Sequence, residues 1–140
     1  DLILSHEIPP AVNQIELHPF CQQRKLRQLM AQYHIAPMAW APFAEGQNGI
    51  FTDPVLTEIG KQYGKTPAQV ILRWLRQENI IAIPKSVHDE RIRQNFHTDD
   101  FSLSPADMAQ ISAMDLERSL ILDVPNVKEV YRLHGIRFEQ

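Results

Sequence analysis

Three short stretches of the chain carry strand-like patterns, and the segments between them repeat apolar residues at helical spacing. Residues 11–17 (AVNQIEL) put Val12, Gln14 and Glu16 on one face and Asn13, Ile15 and Leu17 on the other. A second strand is predicted around residues 38–40, ahead of Pro42. Residues 80–83 (IIAI) form a third run, too short for a helix and suited to a buried parallel strand; Pro84 stops it. Two polar side chains on one face of a buried strand, Gln14 and Glu16, need internal partners or a ligand.

Between and after these strands the spacing predicts helices. The opening residues read as the end of an amphipathic helix closed by Pro9 and Pro10. Over residues 22–34, Leu26, Leu29, Met30 and Tyr33 fall on one stripe, which assigns Tyr33 to packing. Asp53-Pro54 starts a helix with Leu56, Ile59 and Tyr63 along one side and Gly64 at its end. Thr66-Pro67-Ala68-Gln69 is a capping box; the i, i+4 pairs Val70/Trp74 and Ile71/Leu75 make Trp74 a core residue, and Asn79 closes the helix. After the third strand, Ser86 and Asp89 form a capping pair, with Ile92 and Phe96 as the buried stripe and Arg91 and Asn95 on a neighbouring face. Ser104-Pro105-Ala106-Asp107 opens a helix that turns Met108, Ile111 and Met114 inward. Val127, Val130 and Tyr131 suggest a short last helix, approached through Pro125. Strands alternating with helices in this order predict an α/β chain with a parallel sheet.

Composition narrows the function. At 140 residues the chain is one domain long, and its net charge of −3 argues against nucleic acid as a general partner. The single cysteine, Cys21, excludes an internal disulfide and suits a reducing cytoplasm. No apolar run approaches the roughly 20 residues of a membrane span, and no signal peptide opens the chain. Position 1 is Asp, not Met, and the helix pattern is already under way there, so the beginning looks cut.

The candidate chemistry gathers in residues 83–95, IPKSVHDERIRQN. Lys85, Ser86, Arg91 and Asn95 bring an ammonium, a hydroxyl, a guanidinium and an amide to a helix N-terminus at the end of a parallel strand. Free N–H groups and the helix dipole favour an anion there. The Arg fork suits a phosphate, and Asn suits an adenine edge. The same composition also describes a solvated basic helix face. Elsewhere the bland readings prevail: His18 beside Pro19 has no visible acid or nucleophile, Cys21 has no activating neighbour, and no glycine-rich phosphate loop is present.

The run IPKSVHDERIRQN resembles the cofactor signature of the aldo-keto reductases, and NQIELHP at residues 13–19 resembles another of that family's strands. The closest look is to bacterial diketogulonate-reductase-like members. The resemblance implies that Lys85, Ser86 and Arg91 hold the 2′-phosphate of NADPH, Asn95 the adenine and Gln14 the nicotinamide carboxamide. It also implies that Trp40 stacks on the nicotinamide and Phe43 packs under the cofactor. His88 stands where many relatives have Asn, and Ala41 where many have Ser, which removes a hydroxyl from the pyrophosphate. By resemblance the three strands are strands six to eight of a (β/α)8 TIM barrel, so residues 1–140 make the C-terminal half of one domain. A complete barrel has roughly 250 residues, and its ligands sit at the C-terminal strand ends. The family's Tyr general acid and its Lys, Asp and His partners belong to the earlier strands, and none of Tyr33, Tyr63 or Tyr131 has that context. The expected role is therefore the NADPH-binding part of an enzyme reducing small carbonyl substrates, inactive alone and prone to self-association. The rival is a non-catalytic nucleotide-sensing or structural module of the same fold.

Overall fold

The computed structural model describes residues 2–122 and 126–136. Its centre is a parallel sheet in the order β1 (Val12–Glu16), β2 (Ala36–Trp40), β3 (Ile81–Ala82). Gln14 pairs with Met38 and Met38 with Ile81, while Glu16 pairs with Trp40. A short α1 (Leu2–Ser5) precedes the sheet, and α2 (Arg24–Gln32) links β1 to β2. The helix pair α3 (Pro54–Tyr63) and α4 (Pro67–Gln77) links β2 to β3. Then come α5 (Asp89–Phe96), α6 (Pro105–Ser112) and α7 (Val127–His134).

Local chemistry sets the helix starts. Asp53 Oδ1 accepts from the N–H groups of Val55 and Leu56, and complete capping boxes open α4 (Thr66 with Gln69) and α6 (Ser104 with Asp107). Each such cap is worth about 1 kcal/mol. Gly64 ends α3 at φ +64°, a backbone that favours glycine. One turn earlier, a Cβ on Gly60 would lie 2.4 Å from the Lys65 carbonyl oxygen, so glycine lets α3 fold back tightly into α4.

The alternation along β1 separates two environments. Ile15 and Leu17 join Ala39, Ile35 and Ile80 in the core beneath Met30 of α2 and Val70, Ile71, Trp74 and Leu75 of α4. The other face is open: Val12 is 41% and Ile81 40% exposed, and Gln14 lies between them, also exposed. Glu16 belongs to this face yet is only 4% exposed, because residues 119–120 lie over it.

Four expectations are corrected. In α5, Ile92 and Phe96 do not form a buried stripe, and Phe96 is 82% exposed. That helix meets α4 through Gln69, whose Nε2 donates to the carbonyls of Gln94 and His97 (both 3.3 Å). Phe96 instead borders a groove with Leu72, Ile80, Ala82 and Pro84 beside the free edge of β3. Ser86 does not cap α5: its Oγ accepts from the His88 N–H (3.2 Å), a local turn that delays the helix to Asp89. In α2 only Met30 is buried, while Leu29 and, just past the helix, Tyr33 are exposed, since among the described residues the helix packs chiefly on β2 through its other side. The first helix stops at Ser5, before the prolines, and α7 forms at the expected place but leaves Val127, Val130 and Tyr131 exposed. Pro125 lies outside the described residues.

Candidate functional site

A cleft of about 570 Å³ opens where the chain leaves β3. One wall is the N-terminus of α4, with Thr66, Pro67 and Ala68; the other runs from Lys85 through Ser86, Val87 and His88 to Arg91, Gln94 and Asn95 of α5. Phe43 and Phe51 close one side, their ring centroids 5.5 Å apart. The structure thus brings together Phe43, Lys85, Ser86, Arg91 and Asn95 from the residues singled out in the sequence. Among the described residues no carboxylate lines the cleft, and neither Lys85 nor Arg91 enters an ion pair. The first turn of α5 has no side-chain cap, because Ser86 is engaged locally. Two cations without an ion-pair partner among the described residues, an amide, and first-turn N–H groups without a side-chain cap gather on this wall, groups of the kind that can hold an anion, although Asp89 and Glu90 also stand in that first turn.

Gln14 and Trp40 stand elsewhere. Both lie on the open face of the sheet, Gln14 exposed and Trp40 half-buried, and neither lines the cleft. Phe43 follows Trp40 by three residues, a span of at most about 10 Å. The end of β2 therefore connects the open face to the cleft. Sequence reasoning missed Phe51, Thr66, Pro67, Ala68, Val87 and Gln94 as cleft residues, and left His88 without a contact. Gln94 and Val87 could have been found, the first three residues from Arg91 on the same helix and the second between Ser86 and His88 in the chain; Phe51, Thr66, Pro67 and Ala68 arrive only through folding.

The remaining polar candidates are structural. The His18 side chain is fully buried, and burial pulls its pKa below the ordinary value although the hydrogen bond to Glu16 (3.1 Å) opposes this. Among the described residues its Nδ1 has no hydrogen-bond partner. The Tyr63 hydroxyl donates to Asp107 Oδ2 (2.6 Å) and receives the Ser104 N–H (3.2 Å), tying α3 to α6; the bond to the Asp107 carboxylate raises its pKa, which the Ser104 N–H opposes. Burial, with the Glu16 and Asp115 carboxylates, pushes the Cys21 thiol up to about 12. At pH 8 only about one molecule in ten thousand then carries the reactive thiolate. Ellman's reagent is expected to leave Cys21 untouched in the folded chain and to modify it rapidly in denaturant; stoichiometric labelling of the folded chain at pH 8 would contradict the buried assignment. Among the described residues no cluster of His, Cys, Asp or Glu could hold a metal ion, and no helix is long and apolar enough to cross a membrane. A further cavity of about 490 Å³ lies at the opposite end of β2, near Ile35 and Pro37, where the ion pairs Arg27–Glu78 (2.5 Å) and Arg24–Asp115 (3.1 Å) already engage its charged groups.

The sequence model of the Aldo/keto reductase family matches residues 2–116. The chain belongs to that family. Its members fold as (β/α)8 barrels, and the parallel sheet with its helices is of that class. This aldo/keto reductase sequence is 44% identical over 113 residues to a methylglyoxal reductase DkgA of Yersinia pestis, covering 81% of the chain and 41% of the relative. It is 49% identical over 119 residues to an aldo-keto reductase of Mycolicibacterium smegmatis, covering 85% of the chain and 42% of the relative. Its fold is similar to that of MGS-M4, an aldo-keto reductase from a deep-sea metagenome library, with a TM-score of 0.84 and 34% identity. That match covers 90% of the chain and 47% of MGS-M4. A solved structure of a Gox0644 mutant in complex with NADPH also matches, with a TM-score of 0.76 and 38% identity over 81% of the chain and 41% of Gox0644. The chain thus spans about two fifths of the length of the curated relatives it matches.

Proposed function

We propose that residues 1–140 are the C-terminal half of an aldo-keto reductase barrel, contributing strands six to eight and the NADPH site of an enzyme that reduces aldehydes or ketones. The observation that carries this reading is the acid-free cleft in which Lys85, Ser86, Arg91 and Asn95 converge. A 2′-phosphate is the part of NADPH that such a wall fits. Lys85 and Arg91 offer it positive charge, Ser86 a hydroxyl, and Asn95 a donor and an acceptor for the adenine edge. Phe43 supplies an apolar floor toward β2, and along the open face Gln14 orients the carboxamide while Trp40 offers its ring to the nicotinamide. NADPH, when bound, supplies the hydride; the protein supplies orientation and a proton.

These residues offer orientation only. The Tyr63 hydroxyl is committed to Asp107, and Tyr33, just past the end of α2, and Tyr131 on α7 lie exposed away from the cleft. The proton donor then comes from the earlier strands. The rival, a nucleotide-sensing module without turnover, predicts the same cofactor contacts and no carbonyl reduction in the complete barrel.

Tryptophan fluorescence tests the arrangement. In a complete barrel protein, NADP+ is expected to quench Trp40 by ring contact, while Trp74, 1% exposed beneath the sheet, responds weakly. Trp40→Phe should remove the quenching and Trp74→Phe should preserve it. Quenching that survives the loss of Trp40 and vanishes with Trp74 would reverse the assignment.

A further inference from the structure

Helix α5 carries two of the cleft's polar groups, Arg91 and Asn95, yet buries none of its own residues. Apolar packing therefore does little to fix where it lies. What holds it is a polar stripe on α4. Gln69, Arg73 and Gln77 follow one another at intervals of four, so they share one side of that helix over about 12 Å. Gln69 Nε2 donates to the carbonyls of Gln94 and His97, both 3.3 Å away. The Arg73 guanidinium donates to the Thr98 carbonyl (3.2 Å) and the Ser102 hydroxyl (2.6 Å), and pairs with Asp99 (3.3 Å). Gln77 makes a two-way bond with the Leu103 backbone, accepting from its N–H (2.7 Å) and donating to its carbonyl (3.1 Å). The three side chains thus hold the main chain from the last turn of α5 to the entry of α6. Most of their partners are backbone groups, so the stripe fixes the course of this stretch whatever side chains it carries.

We propose that Gln69 is a positioning residue for the cofactor: through the carbonyls at the end of α5 it sets where Arg91 and Asn95 meet the ligand. Of the three it alone reaches α5; Arg73 and Gln77 hold the stretch that follows. Gln94 lies three residues past Arg91 and next to Asn95 on one helix, so a shift of its carbonyl carries both side chains with it. A guanidinium that grips a phosphate with two parallel bonds depends on orientation as well as charge. The role in cofactor binding rests on the proposed reading of the cleft as the NADPH site; the tie between α4 and α5 does not.

The test uses a complete barrel protein with Gln69→Met, Gln69→Glu and, as a control within the stripe, Gln77→Met. Methionine has nearly the length of glutamine but no donor and no charge. Glutamate keeps an oxygen for the Thr66 N–H and lacks the donor aimed at α5. Amide hydrogen exchange without ligand reads the tie: both Gln69 variants should speed exchange over residues 91–97 by about tenfold or more, leaving residues 72–75 within about twofold. Calorimetric titration reads the positioning. Gln69→Met should weaken NADPH binding by about tenfold, and Gln77→Met by no more than about twofold. In an Arg91→Ala background the cost of Gln69→Met should fall to about threefold or less, because a residue that places Arg91 has less to lose once Arg91 is gone. Unchanged exchange in both Gln69 variants overturns the tie. An equal cost with and without Arg91 overturns the positioning role, and so does an equal cost of Gln69→Met and Gln77→Met, which would mean a general loosening of α4. If the unsubstituted protein does not bind NADPH, the cofactor reading and the positioning role fall together, while exchange still decides the tie. Should Gln69→Met fail to fold, Gln69→Asn, one methylene shorter and out of reach of the α5 carbonyls, carries both readouts.

Discussion

Arg91→Ala is expected to weaken NADPH binding by about one to two decades while leaving NADH binding nearly unchanged. The reason is geometric and electrostatic. Arg91 lines the cleft, is exposed and has no ion-pair partner among the described residues, so no internal bond must break before it grips a phosphate. A charge-assisted hydrogen bond is worth about 1.5–3 kcal/mol, and each 1.4 kcal/mol is about tenfold in affinity. NADH lacks the 2′-phosphate and so loses nothing there. Calorimetric titration of a complete barrel protein with both cofactors checks it. Equal losses would remove Arg91 from the phosphate site.

Residues 1–140 purified alone are expected to associate or aggregate, and to show no carbonyl turnover with NADPH. Among the described residues, the sheet order β1-β2-β3 leaves one edge of β1 and one of β3 unpaired. A parallel sheet is normally covered on both faces, yet Val12, Gln14 and Ile81 are open on one of them. Ile83 and Phe96 extend the apolar surface around the β3 edge. Free edges beside exposed apolar side chains favour strand addition or collapse onto another copy. Light scattering should report species larger than one chain, and a cofactor-oxidation assay with methylglyoxal should stay at background. A monodisperse monomer would contradict the half-barrel reading; turnover would mean that a proton donor lies within these residues.

Features legible in the sequence were those whose physics is local. Asp53, the Thr66/Gln69 box and the Ser104/Asp107 box each complete themselves within four residues, and each helix starts where its cap lies. The strands were legible for a related reason, since period two in β1 assigns a face without knowledge of its neighbours. What periodicity cannot state is what covers a face. Ile92 and Phe96 share one side of α5 as spaced, but α4 meets that helix elsewhere, through the Gln69 side chain. The cleft was half legible: Lys85, Ser86, Arg91 and Asn95 are neighbours in sequence, whereas Phe51 and Thr66 reach them only through folding. The bond between Glu16 and Ser119 spans 103 residues and leaves no trace in local pattern.

The double duty of Gln69 bears on how a ligand arrives. Its oxygen receives the Thr66 N–H (3.1 Å) at the start of α4, and its nitrogen reaches the last turn of α5. The two walls of the cleft are thereby held at a set separation before any ligand enters. The entropy of ordering them is lost during folding and is not charged against association. On the proposed reading of the cleft, encounter depends on the field of Lys85 and Arg91, so added salt should act mainly by slowing arrival, with departure governed by the contacts made inside.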